Sequence, residues 1–382
     1  MWKTTGHGPT AGVALLAALF MLGGCHSSPS NSAPGPAALE RAAVRGQVSA
    51  GQWSKFRQAA RAGNITAMVN LAWLYQNSPP PQRNYALALV WYRRAAHRGN
   101  VTAMTDLGYM YEHDQTTPAG LIDLGPDYER ALHWYRRAAA HGDSAAMNAL
   151  GFLYMRGDGV VQDDAQAMRW YRRAAAAGNA VAMNNIGTLY AQGRSVPPSA
   201  VKAFAWYHRS AVRGDSLAML NIGSAYLSAA GGAASGVPIH GRAADLARAA
   251  HWFRRAAAAG NARAMDDLGY LYQHGQGVRK DVARAARWYR RAATRGDDHA
   301  MDALGYLAME GLGVRRNYAQ ALTWYRRAAA AGNSKAMLNI AYMYVHGLGV
   351  SQDNATALRW YRRAAAAGNV GAARALQRLN QP

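Results

Sequence analysis

At 382 residues, half of them apolar, the chain has enough material for a long buried core. Its 43 Lys and Arg against 21 Asp and Glu leave a formal charge of +22, which favours anionic surroundings but accompanies no nucleic-acid-binding module. One cysteine, Cys25, excludes any intramolecular disulfide.

Residues 1–24 read as a secretory signal. A short polar start with Lys3 precedes an apolar run at 11–22 that is too short to span a bilayer. The run ends in Leu22-Gly23-Gly24-Cys25, which resembles the lipobox of bacterial lipoproteins. That resemblance implies that Cys25 opens the mature chain and carries acyl groups, several of which together anchor stably. With His26 rather than Asp next in line, the expected location is the cell envelope, on the outer membrane facing the periplasm. Residues 25–38 form a Ser/Pro/Ala tether without apolar periodicity. Residues 39–64 follow as N-terminal capping helices, with Phe56 where later segments carry Tyr.

From 65 to 369 the chain repeats itself. Trp91, Trp134, Trp170, Trp206, Trp252, Trp288, Trp324 and Trp360 each open a variant of Trp-Tyr-Arg-Arg-Ala-Ala, mostly 36 residues apart, with 43 and 46 at two junctions. A fixed period in this range marks a helical solenoid, in which each unit packs on its neighbours. In the unit 180–215, Met183, Ile186, Gly187 and Tyr190 share one helical face. Ala203, Trp206, Tyr207 and Ser210 share a face of a second helix. Seven residues before each Trp stands an N-cap candidate: Asn84, Asp127, Asp163, Ser199, Asp245, Asp281, Asn317 or Asp353. Glycine closes the second helix of each unit, and an Asn or Asp after it, such as Asn179 or Asp215, caps the next first helix. Short turns make the paired helices antiparallel. Residues 370–382 begin a further unit and stop, as a C-terminal capping helix.

The combination Ala-Met-x-x-Leu-Gly-x-Leu-Tyr, then Gly-x-Gly-Val, then Ala-x-x-Trp-Tyr-Arg-Arg-Ala-Ala and Gly-Asn resembles the Sel-one-like repeat family, a relative of the tetratricopeptide repeat. The resemblance covers about residues 50–380. It implies an all-α, right-handed superhelix with a concave face lined by first helices, and adaptor or scaffold work. It supplies no common catalytic residues. Departures are Pro79-Pro80-Pro81 in unit one and insertions near 113–126 and 229–241, which in a solenoid collect on one edge.

Positions that repeat are packing, and positions that vary are free to recognise a ligand. One variable row on the first helices reads Trp73, Tyr109, Phe152, Thr188, Ser224, Tyr270, Tyr306, Tyr342. The row four residues earlier holds Asn184, Asp266 and Asp302. Together they define the expected concave binding face, aromatic at both ends and polar around Asn184, Thr188 and Ser224. The paired arginines fall outside both apolar stripes and read as a solvated basic face.

No phosphate loop, nucleotide fingerprint or nucleophile elbow is present, and no cofactor is called for. His113, His274 and His346 occupy equivalent places in non-adjacent units, too far apart to share a metal. Asp266-Asp267 is a carboxylate pair without a catalytic partner motif. Two expectations follow: a non-enzymatic adaptor that holds a protein or peptide partner, or a scaffold for anionic envelope polysaccharide. A cell-wall or β-lactam hydrolase is a remote third.

Overall fold

The computed structural model describes residues 48–113, 125–233, 236, 238 and 240–379. The signal, Cys25, the tether, the first capping segment and the centre of the insertion near 113–126 lie outside the described residues. Among the described residues there are eighteen α-helices and no strand, from Ala50–Arg61 to Val370–Leu379. Each helix packs on the helix before it and the helix after it. Among the described residues no helix is long and apolar enough to cross a membrane.

The repeating unit is an antiparallel pair held apart by one ring. In unit six the first helix, Ala262–His274, meets the second, Val282–Ala293, where Gly269 faces Tyr289. A Cβ on Gly269 would lie 2.6 Å from the Tyr289 ring, and the same holds within 0.1 Å for Gly108, Gly151, Gly187, Gly223 and Gly305 against Tyr135, Tyr171, Tyr207, Phe253 and Tyr325. Helical glycine costs about 1 kcal/mol relative to alanine. Here the missing side chain admits a whole aromatic ring into the core, which outweighs that cost. Met265, Leu268 and Leu271 close the core around it at 0–3% exposure.

Helix ends follow the expected chemistry with one exception. Asn179 accepts the Ala182 amide at 2.9 Å, and Asp163, Ser199, Asp281, Asn317 and Asp353 cap second helices in the same way. Asp245 does not. The insertion before it adds a turn to its helix, Arg242–Ala258, whose N-cap is Gly241. Asp245 is instead fully buried inside the first turns, accepting the His240 amide at 3.3 Å with Arg248 3.7 Å away. The insertion near 229–241 is thus partly absorbed as helix rather than left as loop.

The loop glycines also have a mechanical reason. Gly277 sits at φ +66°, and a Cβ there would fall 2.2 Å from the Leu246 carbonyl oxygen of the preceding unit. Unit four replaces the equivalent glycine with Ser195, which holds φ 58°.

Replacing Gly269 with valine drives a branched side chain into the Tyr289 ring. The expected cost is about 3 kcal/mol, read as a lowered urea midpoint; an unchanged midpoint would show that the ring contact is loose.

Candidate functional site

The two variable rows run along the first helices, beside the face that packs on the second helix; Thr188 of the first row lies 3.4 Å from the Tyr207 hydroxyl of its paired helix. Tyr270, Tyr306 and Tyr342 lie in that row at 44%, 41% and 46% exposure, and among the described residues they are the exposed large aromatics. Ser224 is exposed beside them, whereas Trp73, Tyr109, Phe152 and Thr188 are half-buried. Three of the tyrosines carry a histidine one turn on: His113 stacks on Tyr109 at 4.0 Å, His274 meets Tyr270 at 4.1 Å and His346 meets Tyr342 at 4.3 Å. The backbone carbonyl of Tyr270 holds the His274 Nδ1 at 2.9 Å, which orients that ring.

The row four residues earlier behaves differently from its sequence expectation. Asn184 and Asp302 are buried, at 2% and 4% exposure. Asn221 of the next unit donates to Asn184 Oδ1 at 2.9 Å, and Asn339 donates to Asp302 Oδ1 at 2.8 Å. Asn185 donates to Asn148 in the same register at 3.0 Å. Asp302 also meets the Lys335 ammonium at 3.1 Å. These residues vary along the chain because each is matched to its neighbour across a junction: an acceptor in one unit selects an asparagine donor in the next. Where the acceptor's place is taken by apolar Val69 or Leu220, the facing residue is Asp106 or Asp267 instead. Sequence reading missed this because it compared positions within a column rather than between columns.

Asp266 is the acid of that row left over. Its counterpart across the junction is Ala303, and it takes no hydrogen bond or ion pair among the described residues. Burial, then Asp297 and Asp267, hold its carboxyl well above the usual carboxylate range. Burial pushes Asp267 up to about 6, against the pull of Arg263 3.8 Å away. The Tyr325 hydroxyl, also buried, lacks a partner. Met309 stands where the preceding unit has Gln273, which accepts from Tyr289 at 2.8 Å.

The arginine pairs are not a free basic face. The second arginine of each Trp-x-x-Arg segment lies over its own Trp, from 4.4 Å for Arg173 on Trp170 to 4.9 Å for Arg291 on Trp288, in all eight units. Each such contact contributes about 0.5–1 kcal/mol at an exposed site. The first arginine reaches forward eighteen residues to a tyrosine of the next unit: Arg136 donates to Tyr154 at 3.2 Å, Arg172 to Tyr190 at 3.3 Å and Arg326 to Tyr344 at 2.9 Å, and Arg93 bonds Tyr111. A guanidinium that stacks and donates at once is what a junction between repeats requires. The spacing of eighteen was visible in the sequence and could have suggested it.

Burial also raises Asp106 to about 7, while its bond with Tyr92 opposes the rise. Between roughly pH 4 and 7 the folded chain therefore holds a proton that the unfolded chain has lost, so this residue's contribution to stability falls as pH rises through that window. Asn stands at the equivalent place in four other units. Asp106→Asn should gain on the order of 1 kcal/mol at pH 8 and flatten the decline between pH 5 and 8, measured by urea unfolding at both; an unaltered slope would exclude Asp106 as its source.

Eight consecutive segments match the Sel1 repeat: 65–100, 101–143, 144–179, 180–215, 216–261, 262–297, 298–333 and 334–369. A protective antigen present in uropathogenic Escherichia coli strains and displaying an SLR fold is 30% identical over 84% of this chain, with a TM-score of 0.60. The chain spans 65% of that antigen's length. A Sel1 repeat protein from Oxalobacter formigenes is 32% identical, with the same TM-score, over 70% of this chain and 100% of its own. No curated protein matches the chain. Sel1 repeat proteins are typically protein-interaction scaffolds, and their fold is generally non-catalytic. The all-α solenoid described above, with its eight matching segments, belongs to the Sel1 repeat family.

Proposed function

We propose that this chain is a non-enzymatic scaffold of the bacterial cell envelope that holds an extended segment of a partner protein along the first helices of units six to eight. The observation that carries this reading is the row Tyr270, Tyr306 and Tyr342, exposed on three successive units while the equivalent aromatics toward the N-terminus are half-buried. Neighbouring helix axes lie about 8–10 Å apart, which corresponds to roughly three residues of extended peptide at about 3.3 Å each. Side chains at i, i+3 and i+6 of a partner would then meet successive tyrosines. Tyrosine gives large contact area at small entropic cost, with a hydroxyl for direction. Asp266, unpaired beside Tyr270, supplies a polar contact that fixes register.

The envelope part of the reading rests on residues 1–24 and on Cys25 as the acylated anchor. Binding of anionic polysaccharide is the weaker alternative, because the arginines that would attract it stack on Trp or bond Tyr within the array. The two differ in salt response, since contacts between exposed charges weaken as ionic strength shortens their range.

The test is capture from envelope extract on the recombinant chain and on its Tyr270→Ala, Tyr306→Ala, Tyr342→Ala triple variant, at low and moderate salt. A discrete protein retained at moderate salt and reduced at least about tenfold by the triple variant, about 1.4 kcal/mol, is the expected result. Equal capture by both forms would overturn the site, and carbohydrate alone, lost as salt rises, would overturn the partner class.

A further inference from the structure

Unit seven lacks one residue that other units use to join neighbours. The tyrosine that ends the first helix, Tyr272 in unit six and Tyr344 in unit eight, is Ala308 in unit seven. In units two, four and six that phenol lies between two basic side chains. Tyr272 has the Arg284 guanidinium 5.1 Å above its ring, with Nη1 donating to its hydroxyl at 3.4 Å, and bonds Arg254 of the preceding unit as well. Tyr344 accepts from Arg326 at 2.9 Å.

The corresponding pair in unit seven is Arg290, eighteen residues before Ala308, and Gln320, twelve after it. Between them is an open cleft of about 590 Å³, lined by Arg290, Val314, Arg315, Arg316, Asn317 and Gln320. Below it a cavity of about 10 Å³, the space of one water, reaches Leu307, Ala308 and Trp324. Val314 gives the cleft its apolar patch, and its walls are cationic. No carboxylate lines the cleft, and among the described residues neither the Arg290 nor the Arg315 guanidinium has a hydrogen bond or ion pair. Arg316 lies 5.7 Å from the Tyr318 ring. At the mouth Asn317 caps the helix Tyr318–Ala330, whose N-terminal dipole adds to the positive field.

We propose that this cleft binds an aromatic ring carrying an anionic group. The ring takes the place of the absent phenol against Val314, and the anion meets Arg290, Arg315 and Arg316. Either charge or ring alone fits worse: a bare anion leaves Val314 and most of the cleft wet, and a neutral ring leaves three guanidinium groups without a counter-charge. The ligand's chemistry is shared by a free aryl acid and by a tyrosine in an acidic stretch of a protein. The site draws on no residue of the Tyr270–Tyr306–Tyr342 row, so it stands or falls independently of the partner groove.

Calorimetric titration of the full chain with phenyl phosphate, inorganic phosphate, phenol and an acidic peptide ending in tyrosine tests the proposal. Phenyl phosphate or the peptide should saturate one site, with inorganic phosphate and phenol each weaker by about tenfold or more. The tighter of the first two identifies the source as a free molecule or a protein. Ala308→Tyr and Ala308→Phe should each weaken that binding at least about tenfold by filling the cleft, and Arg290→Gln should weaken it without filling anything. Thermal melts accompany the titrations; if either position-308 variant fails to fold, Arg290→Gln and the phosphate-to-phenyl-phosphate ratio still decide. The proposal is overturned if neither ligand saturates, if the variants bind as well as the parent, or if inorganic phosphate binds as tightly as phenyl phosphate.

Discussion

An aromatic ring laid on a glycine fixes the geometry of this solenoid. The absence of a Cβ at Gly108, Gly151, Gly187, Gly223, Gly269 and Gly305 sets how closely two helices of a unit approach. That distance determines where the second helix presents its Trp and its two arginines. Their reach to the next unit's tyrosine depends in turn on the approach being the same each time. Where alanine replaces the glycine, at Ala72 and Ala341, the unit is the first or the last of the array, where only one full repeat lies alongside.

The charge of the protein reads differently once these contacts are traced. Arginine supplies most of the +22, yet much of it is engaged locally, over Trp faces and on Tyr hydroxyls. Such contacts use the guanidinium plane and its donors without neutralising it, so positive potential persists while the groups themselves are held in place. Acidic residues gather on the first helices of units six and seven instead, where Asp266, Asp267 and Asp297 raise one another's proton affinity.

Much of the fold was legible because a repeated sequence is its own alignment. The eight Trp positions, the capping residues and the small residue between Leu and Tyr all lie where the periodicity places them. Asp245 escaped that logic because an insertion changes the helix start without changing the cap motif. The exposed face of the first helices was legible only in part. Treating variation as freedom correctly separated Tyr270, Tyr306 and Tyr342 from the core, but Asn184 and Asp302 vary for another reason: each is half of a junction whose other half varies with it. A one-dimensional column cannot reveal a pairing that needs the register between units. Ala308 was equally visible as a departure, but its meaning required knowing which arginine it leaves without a tyrosine.

The apolar interior forms two clusters of buried residues that are joined through unit four. One cluster of buried residues runs from Phe56 to Leu189 and a second from Ala203 onward, and both touch the partly buried Tyr190. The boundary falls inside unit four, between its two helices, at the loop where Ser195 replaces glycine and the Tyr207 hydroxyl keeps a 3.4 Å contact with Thr188. A rod whose parts touch only their neighbours transmits load in series, so every ring-on-glycine contact bears the whole of it. The ring of Tyr207 on Gly187 carries load across unit four, with the exposed tyrosines on the C-terminal side of it.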